Sequence, residues 1–163
     1  MPVSKHHAPA PRFAALGPTF ADAVAPARFP LKTQRFRNQR WADRVGLGEL
    51  SPGEWERHLC SFEALPDNQP DPLAMRYHGH QFGIYNPDLG DGRGFLFAQM
   101  LDPVDGRLLD LATKGSGITP YSRGGDGRLT LKGGVREVLA TEMLEAGVHP
   151  KVVAGWIGDS ERP

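Results

Sequence analysis

Two copies of one tetrapeptide bracket a lysine in this chain. Gly90-Asp91-Gly92-Arg93 comes first, Gly125-Asp126-Gly127-Arg128 comes later, and Lys114-Gly115-Ser116-Gly117 lies between them. Glycine lets a backbone approach a ligand and take up dihedrals barred to other residues. Arginine adds a fixed fork of donors that matches phosphate oxygens. Backbone N–H groups in Gly-rich turns form concave anion sites. Two such turns around a Gly-flanked lysine therefore predict a cradle for a polyphosphate. Each tetrapeptide taken singly is explained as well by an Asp-Gly hairpin turn, but that reading leaves the lysine unaccounted for.

Lys114 has a second possible role. The periodicity predicts that it ends a strand and that Glu137 lies near the middle of the next helix. A strand lysine braced by a helix glutamate is how kinase-like folds aim an amine at ATP phosphates. On these two residues alone, a solvated strand-end charge and a helix-surface acid are the plainer reading. No GxxxxGK[ST] pattern occurs and no GxGxxG follows a strand, which disfavours a P-loop enzyme or a Rossmann dehydrogenase. His78-Gly79-His80 has the spacing of a zinc-binding pair. A third and fourth ligand would have to come from His58, His149 or distant carboxylates, so a turn with hydrogen-bonded histidines is preferred.

These residues must be positioned by short elements, because 20 glycines and 15 prolines punctuate the 163 residues. The spacing predicts a short helix around Thr19–Val24 and another within Arg37–Leu47. Ser51-Pro52-Gly53-Glu54 is a capping box with proline at the first helical position. It opens a helix that carries Trp55, Leu59 and Phe62 inward and ends near Phe62. Residues 66–72 read as a polar connector. Gly94–Leu101 and Arg107–Thr113 form an antiparallel hairpin around the turn 102–106, and the second strand delivers Lys114. After a loop over 115–128, Thr130–Ala146 is a helix with Val135, Val138, Leu139, Glu142, Met143 and Ala146 on one mainly apolar stripe, stopped by Gly147. Val152–Ile157 reads as one more strand.

Nineteen basic residues balance nineteen acidic ones. Bulk binding to nucleic acid or to an anionic membrane is thereby disfavoured, and any anion site must be local. The first twelve residues are polar and Pro-rich, lack the apolar stretch of a secretory signal, and are expected to be a loose tail, with His6 and His7 solvated. Cys60 is the single cysteine, which excludes an internal disulfide and fits a reducing, cytoplasmic setting.

The longer motifs resemble a known family. Tyr77-His78-Gly79-His80-Gln81-Phe82-Gly83, Asn86-Pro87-Asp88-Leu89-Gly90-Asp91-Gly92-Arg93, the run from Lys114 to Arg128 with Thr119-Pro120-Tyr121-Ser122-Arg123 inside it, and Arg136-Glu137 occur in the order found in selenoprotein O, the YdiU-type protein adenylyltransferases. Weaker likeness reaches back to about Phe13. The resemblance implies an α+β fold, the N-terminal lobe of a protein-kinase-like, pseudokinase-like domain, preceded by a short helical segment. It implies transfer of AMP from ATP to Ser, Thr or Tyr hydroxyls of proteins, with Mg2+ or Mn2+ as cofactor. By motif, Gly90, Gly92, Arg93, Lys114, Asp126 and Gly127 would contact the nucleotide, and Glu137 would orient Lys114. The organisation that follows is a disordered tail over 1–12, a helical extension over 13–72 and the lobe over 73–163. Members of the family are several times longer. Their catalytic aspartate, metal-binding Asn and Asp, and arginine pair belong to a second lobe not expected within these 163 residues. The stretch from Pro150 departs from the family pattern, and a frameshift or early stop near residue 150 is the expectation. The chain alone is then expected to show little or no transferase activity. The alternatives are a non-catalytic ATP-binding or regulatory module and a small His-dependent metalloenzyme.

Overall fold

In the computed structural model, which describes residues 3–81 and 83–157, the chain is α+β and divides into two compact units, residues 1–128 and 129–163. The first holds a four-stranded antiparallel sheet in the order β1 (Ala21–Ala23), β2 (Leu73–Met75), β5 (Leu96–Leu101), β6 (Leu108–Ala112). A separate two-stranded hairpin joins β3 (Gly79–Gln81) to β4 (Ile84–Asn86). The expected β5–β6 hairpin is present, with Leu101 opposite Leu108 and Leu96 opposite Ala112. From Leu96 to Met100 every β5 residue is buried, so both faces of the strand are covered. Phe95, Phe97, Ala98 and Met100 pack with Leu47, Leu50 and Leu65 into the core.

Short helices close this core. Asn38 caps α1 (Gln39–Arg44) by accepting from the Trp41 N–H at 3.1 Å. The capping box at Ser51 is complete and opens α2 (Pro52–Trp55), which continues as a π-helical turn over Glu56–Cys60. Trp55 and Leu59 pack against the core as their spacing predicts, and burial pushes the Cys60 thiol up. Phe62 follows the helix in a left-handed conformation, φ 59°, and sets its edge on Phe95 and Phe97, with ring centroids 5.2 and 5.7 Å away.

Three sequence expectations for the first unit are corrected. Residues 19–24 contain strand β1 rather than a helix: Ala21 and Ala23 pair with Met75 and Leu73, a partner too distant in sequence to read locally. The sheet therefore runs across the expected boundary at residue 72. From Val3 on, the N-terminal segment is not a loose tail. β2 reaches β5 only at Leu96, and the open edge beyond is filled by residues 8–10: Ala10 N–H donates to Gln99 O (2.9 Å) and Leu101 N–H to Ala8 O (2.8 Å). The Asn68 side-chain amide completes that edge by pairing with both backbone groups of Gln99, at 2.7 and 3.0 Å. Unsatisfied backbone groups on a buried strand cost too much to be left open.

One buried charge ties α1 to the sheet hairpin. Asp102 is 1% exposed and accepts a two-pronged bond from Arg44, with Nε at 3.0 Å. The Arg44 guanidinium holds the Asp102 carboxyl below the usual carboxylate range. A depressed carboxylate pKa contributes stability that is complete above the unfolded value of about 4 and is lost as pH falls through the folded value. Urea unfolding between acid and neutral pH should therefore show a steeper acid loss for the native chain than for Asp102→Asn. Parallel pH profiles would refute the assignment.

In the second unit, Thr130 caps α3 (Leu131–Glu145) by accepting from Gly133 N–H at 3.2 Å, and Gly147 follows its end with φ 80°. The predicted stripe is helical but none of the α3 residues is buried. The strand expected over 152–157 is instead helix α4 (Pro150–Ile157). Pro150 suits the first helical turn, and the His149 carbonyl accepts from Val152 and Val153, so the backbone is satisfied locally despite the β-branched pair. Among the described residues no helix is long and apolar enough to cross a membrane. Phe82 of the histidine motif and residues 158–163 lie outside the described residues.

Candidate functional site

The glycine-rich turns and the lysine converge at one end of the β5–β6 hairpin. The ladder runs past its formal end: Thr113 N–H donates to Phe95 O at 2.9 Å, and Gly115 N–H donates to Arg93 O at 2.5 Å. Lys114 is thus clamped between two backbone bonds, beside the first tetrapeptide. Gly94 makes the clamp possible, because a Cβ there would collide with the Thr113 carbonyl.

The first tetrapeptide is not a hairpin turn. It links the β3–β4 hairpin to β5, strands that do not pair with each other. Gly90 bridges Arg76, and Asp91 docks on β2: its N–H donates to Met75 O (3.1 Å) and its carboxylate accepts from Met75 N–H (2.9 Å). Burial pushes the Asp91 carboxyl above its ordinary value. The second tetrapeptide is held across the loop. Gly117 N–H donates to Gly127 O at 3.2 Å, Ser116 bridges Arg128, and Asp126 accepts from the Arg128 N–H at 3.0 Å.

Between the two turns lies a hollow of about 540 Å³. Gly90, Gly92, Arg93, Asp126 and Gly127 all line it, together with Arg123 and Arg128. A smaller hollow of about 250 Å³ shares Tyr77, Gly92 and Arg93 with it and is lined by Asp91 and Lys114. Three arginines against one aspartate make the larger hollow a cationic one, and its volume suits a small organic ligand. The six residues expected at the nucleotide therefore line two hollows that share Gly92 and Arg93. Glu137 is exposed on α3, in the second unit, where its carbonyl accepts from Thr141 at 2.9 Å.

The sequence reading gave no role to two residues of the loop that backs the turns. Tyr121 and Ser122 line the larger hollow. Tyr121 sends its hydroxyl to Asp22 at 2.6 Å, and Asp22 also takes the Arg76 guanidinium. Arg76, then Tyr121, hold Asp22 below the usual carboxylate range. The only available signal was their place in the Thr-Pro-Tyr-Ser-Arg run, since no local pattern links residue 121 to residue 22.

The histidine pair lies on and before β3. His78 and His80 each pack a ring on Tyr85, with centroids 5.6 Å apart. Among the described residues no three His, Cys, Asp or Glu side chains gather where they could hold a metal ion.

Comparison with known proteins places these motifs. The family model for the protein adenylyltransferase SelO matches residues 4–150. The chain is 56% identical over 135 residues to the protein nucleotidyltransferase YdiU of Synechococcus elongatus, covering 83% of this chain and 27% of that protein. It is 53% identical over 162 residues to YdiU of Trichormus variabilis, covering 94% and 33%. With YdiU of Vibrio cholerae the identity is 47% over 135 residues, covering 82% and 27%. The chain thus spans about a quarter to a third of the length of these curated relatives.

Proposed function

Because the chain belongs to the SelO family of protein adenylyltransferases, a nucleotidyltransferase family, we propose that it forms the nucleotide-cradling N-lobe of a kinase-like AMP transferase. One observation carries the reading: Gly90, Gly92, Arg93, Asp126 and Gly127 line one cationic hollow, and the hollow beside it is lined by Lys114. A triphosphate suits that combination of backbone turns and fixed cations.

In the reaction, a Ser, Thr or Tyr hydroxyl oxygen of a protein substrate attacks the α-phosphorus of ATP. The new P–O bond forms as the bond to the β-phosphate bridging oxygen breaks, pyrophosphate leaves with that electron pair, and a base takes the hydroxyl proton. Lys114 and Arg93 hold phosphate charge in place and the rigid turns supply alignment, which is most of what phosphoryl-type transfer asks of a protein. A divalent cation, when bound, neutralises phosphate charge. Among the described residues no three His, Cys, Asp or Glu side chains gather to hold one.

Isothermal titration of the chain with ATP tests this. Binding should weaken on the order of a hundredfold for Lys114→Ala and about tenfold or more for Arg93→Ala, as expected for charge-assisted bonds. No heat at millimolar ATP, or titrations indistinguishable among the three proteins, would sink the reading. A non-catalytic nucleotide-binding module would use the same hollow. Incorporation of labelled AMP into protein, assayed with the full family-length protein, separates the two.

A further inference from the structure

The glycines of the first tetrapeptide face another part of the protein as well as the hollow. A Cβ on Gly90 would come within 2.5 Å of the Tyr121 ring, and one on Gly92 would meet the Tyr121 carbonyl at 3.0 Å. The segment that presses on them also grips two carbonyls of the turn. Thr119 Oγ1 donates to Asp91 O, and Ser122 Oγ donates to Gly92 O at 2.7 Å. The grip is itself rigid. Thr119 N–H donates to Ser122 Oγ at 2.9 Å, and Tyr121 N–H to Thr119 Oγ1 at 3.1 Å. Thr119 is 5% exposed, so its hydroxyl has few alternatives in water. The far end is anchored on the sheet through Tyr121, Asp22 and Arg76.

We infer that Thr119, Tyr121 and Ser122 are positioning residues that hold the Asp91 and Gly92 peptides, and with them Arg93, in the geometry that receives the phosphates. Two consecutive carbonyls fixed from behind set the orientation of the peptide planes on either side of Gly92, the most pliable residue of the turn. Without the grip the turn keeps its bonds to Met75 and Gly115, but the peptides flanking Gly92 between them are free to rotate, and Arg93 would be aimed only part of the time. The inference rests on the nucleotide reading above, and it adds residues that act through the backbone of the first turn.

The test is ATP titration of the chain and of Thr119→Val and Ser122→Ala, run well below the unfolding midpoint. Each deletion should weaken ATP by about tenfold, the scale of one lost intramolecular hydrogen bond. Thr119→Ser and Ser122→Thr should restore it. A merely structural role would lower the unfolding midpoint and leave the affinity of the folded chain unchanged. In an Arg93→Ala background the Ser122→Ala loss should shrink to about twofold or less, because coupled residues are non-additive. Should Thr119→Val fail to fold, Tyr121→Phe removes only the tether to Asp22. It should speed amide exchange at residues 91–93 while β5 stays protected. Native affinity in both deletions, with Lys114→Ala still defective, overturns the positioning role and leaves the nucleotide site standing. Absence of ATP binding in the unaltered chain overturns both.

Discussion

Phe95→Ala is expected to lower the unfolding free energy by about 3–5 kcal/mol, the usual cost of emptying a core phenylalanine site. For a chain of this size the corresponding drop in midpoint is roughly 6–20 °C. Phe95 is 1% exposed and lies one residue before β5, between the core and the clamp on Lys114. Its ring takes the edge of Phe62, and its backbone exchanges bonds with Thr113 at 2.9 and 3.2 Å. The cavity cannot collapse readily, because the neighbouring β5 residues are held on both sides by ladder bonds. Scanning calorimetry of the variant checks the figure. A shift of only a degree or two would mean that the Phe62–Phe95–Phe97 cluster repacks around the missing ring. Leu65→Ala, which removes a smaller side chain from the same core, should cost less.

Local signals made part of this fold legible and left the rest hidden. The capping box at Ser51, the β5–β6 hairpin and α3 each carry their own evidence within a few residues, and all three stand where the pattern puts them. β1 has no such evidence. Three residues, Ala21–Ala23, are a strand only because Leu73–Met75 lies alongside. The N-terminal segment is ordered for the same reason: it fills an edge of β5 that a sequence does not advertise. α4 misled in the opposite direction, since Val152-Val153 and Ile157 suggest a strand while Pro150 and His149 start a helix.

The site shows the same division. Cations and turns were readable as residue types, so Arg93, Lys114 and the two Asp-Gly pairs could be singled out. The reason for the glycines was readable only in part. Close approach of a ligand was the inference, whereas Gly90 and Gly92 are also required by Tyr121, and Gly94 by the Thr113 carbonyl. A glycine says that something comes near, not what it is.

Gly127 offers the sharpest test of that distinction. It combines φ 67° with a collision, because a Cβ there would overlap the Gly117 carbonyl oxygen and come 2.5 Å from the Ile118 nitrogen. Gly124 has φ 81° but nothing within 4 Å of a Cβ. The two alanine variants therefore separate strain from crowding. Gly124→Ala should cost about 1–2 kcal/mol, the price of a left-handed L-residue. Gly127→Ala carries that same strain and must in addition push the 116–118 segment away, breaking the Gly117 N–H to Gly127 O bond and the Ser116–Arg128 bridge. Its expected cost is about 3–5 kcal/mol, the sum of left-handed strain, one broken bond and overpacking. The consequence for binding should be larger still. Once residues 116–118 move, Asp126, Gly127 and Arg128 lose their register and one wall of the 540 Å³ hollow goes with them. ATP affinity should fall beyond measurement in Gly127→Ala and stay within about threefold of native in Gly124→Ala, since only the first alters the wall. Urea midpoints and ATP titrations on the pair decide it. Equal stability losses would show that crowding at Gly127 is relieved by a small shift. Equal affinity losses would show that the 122–125 turn, rather than the Gly117–Gly127 pairing, shapes the site.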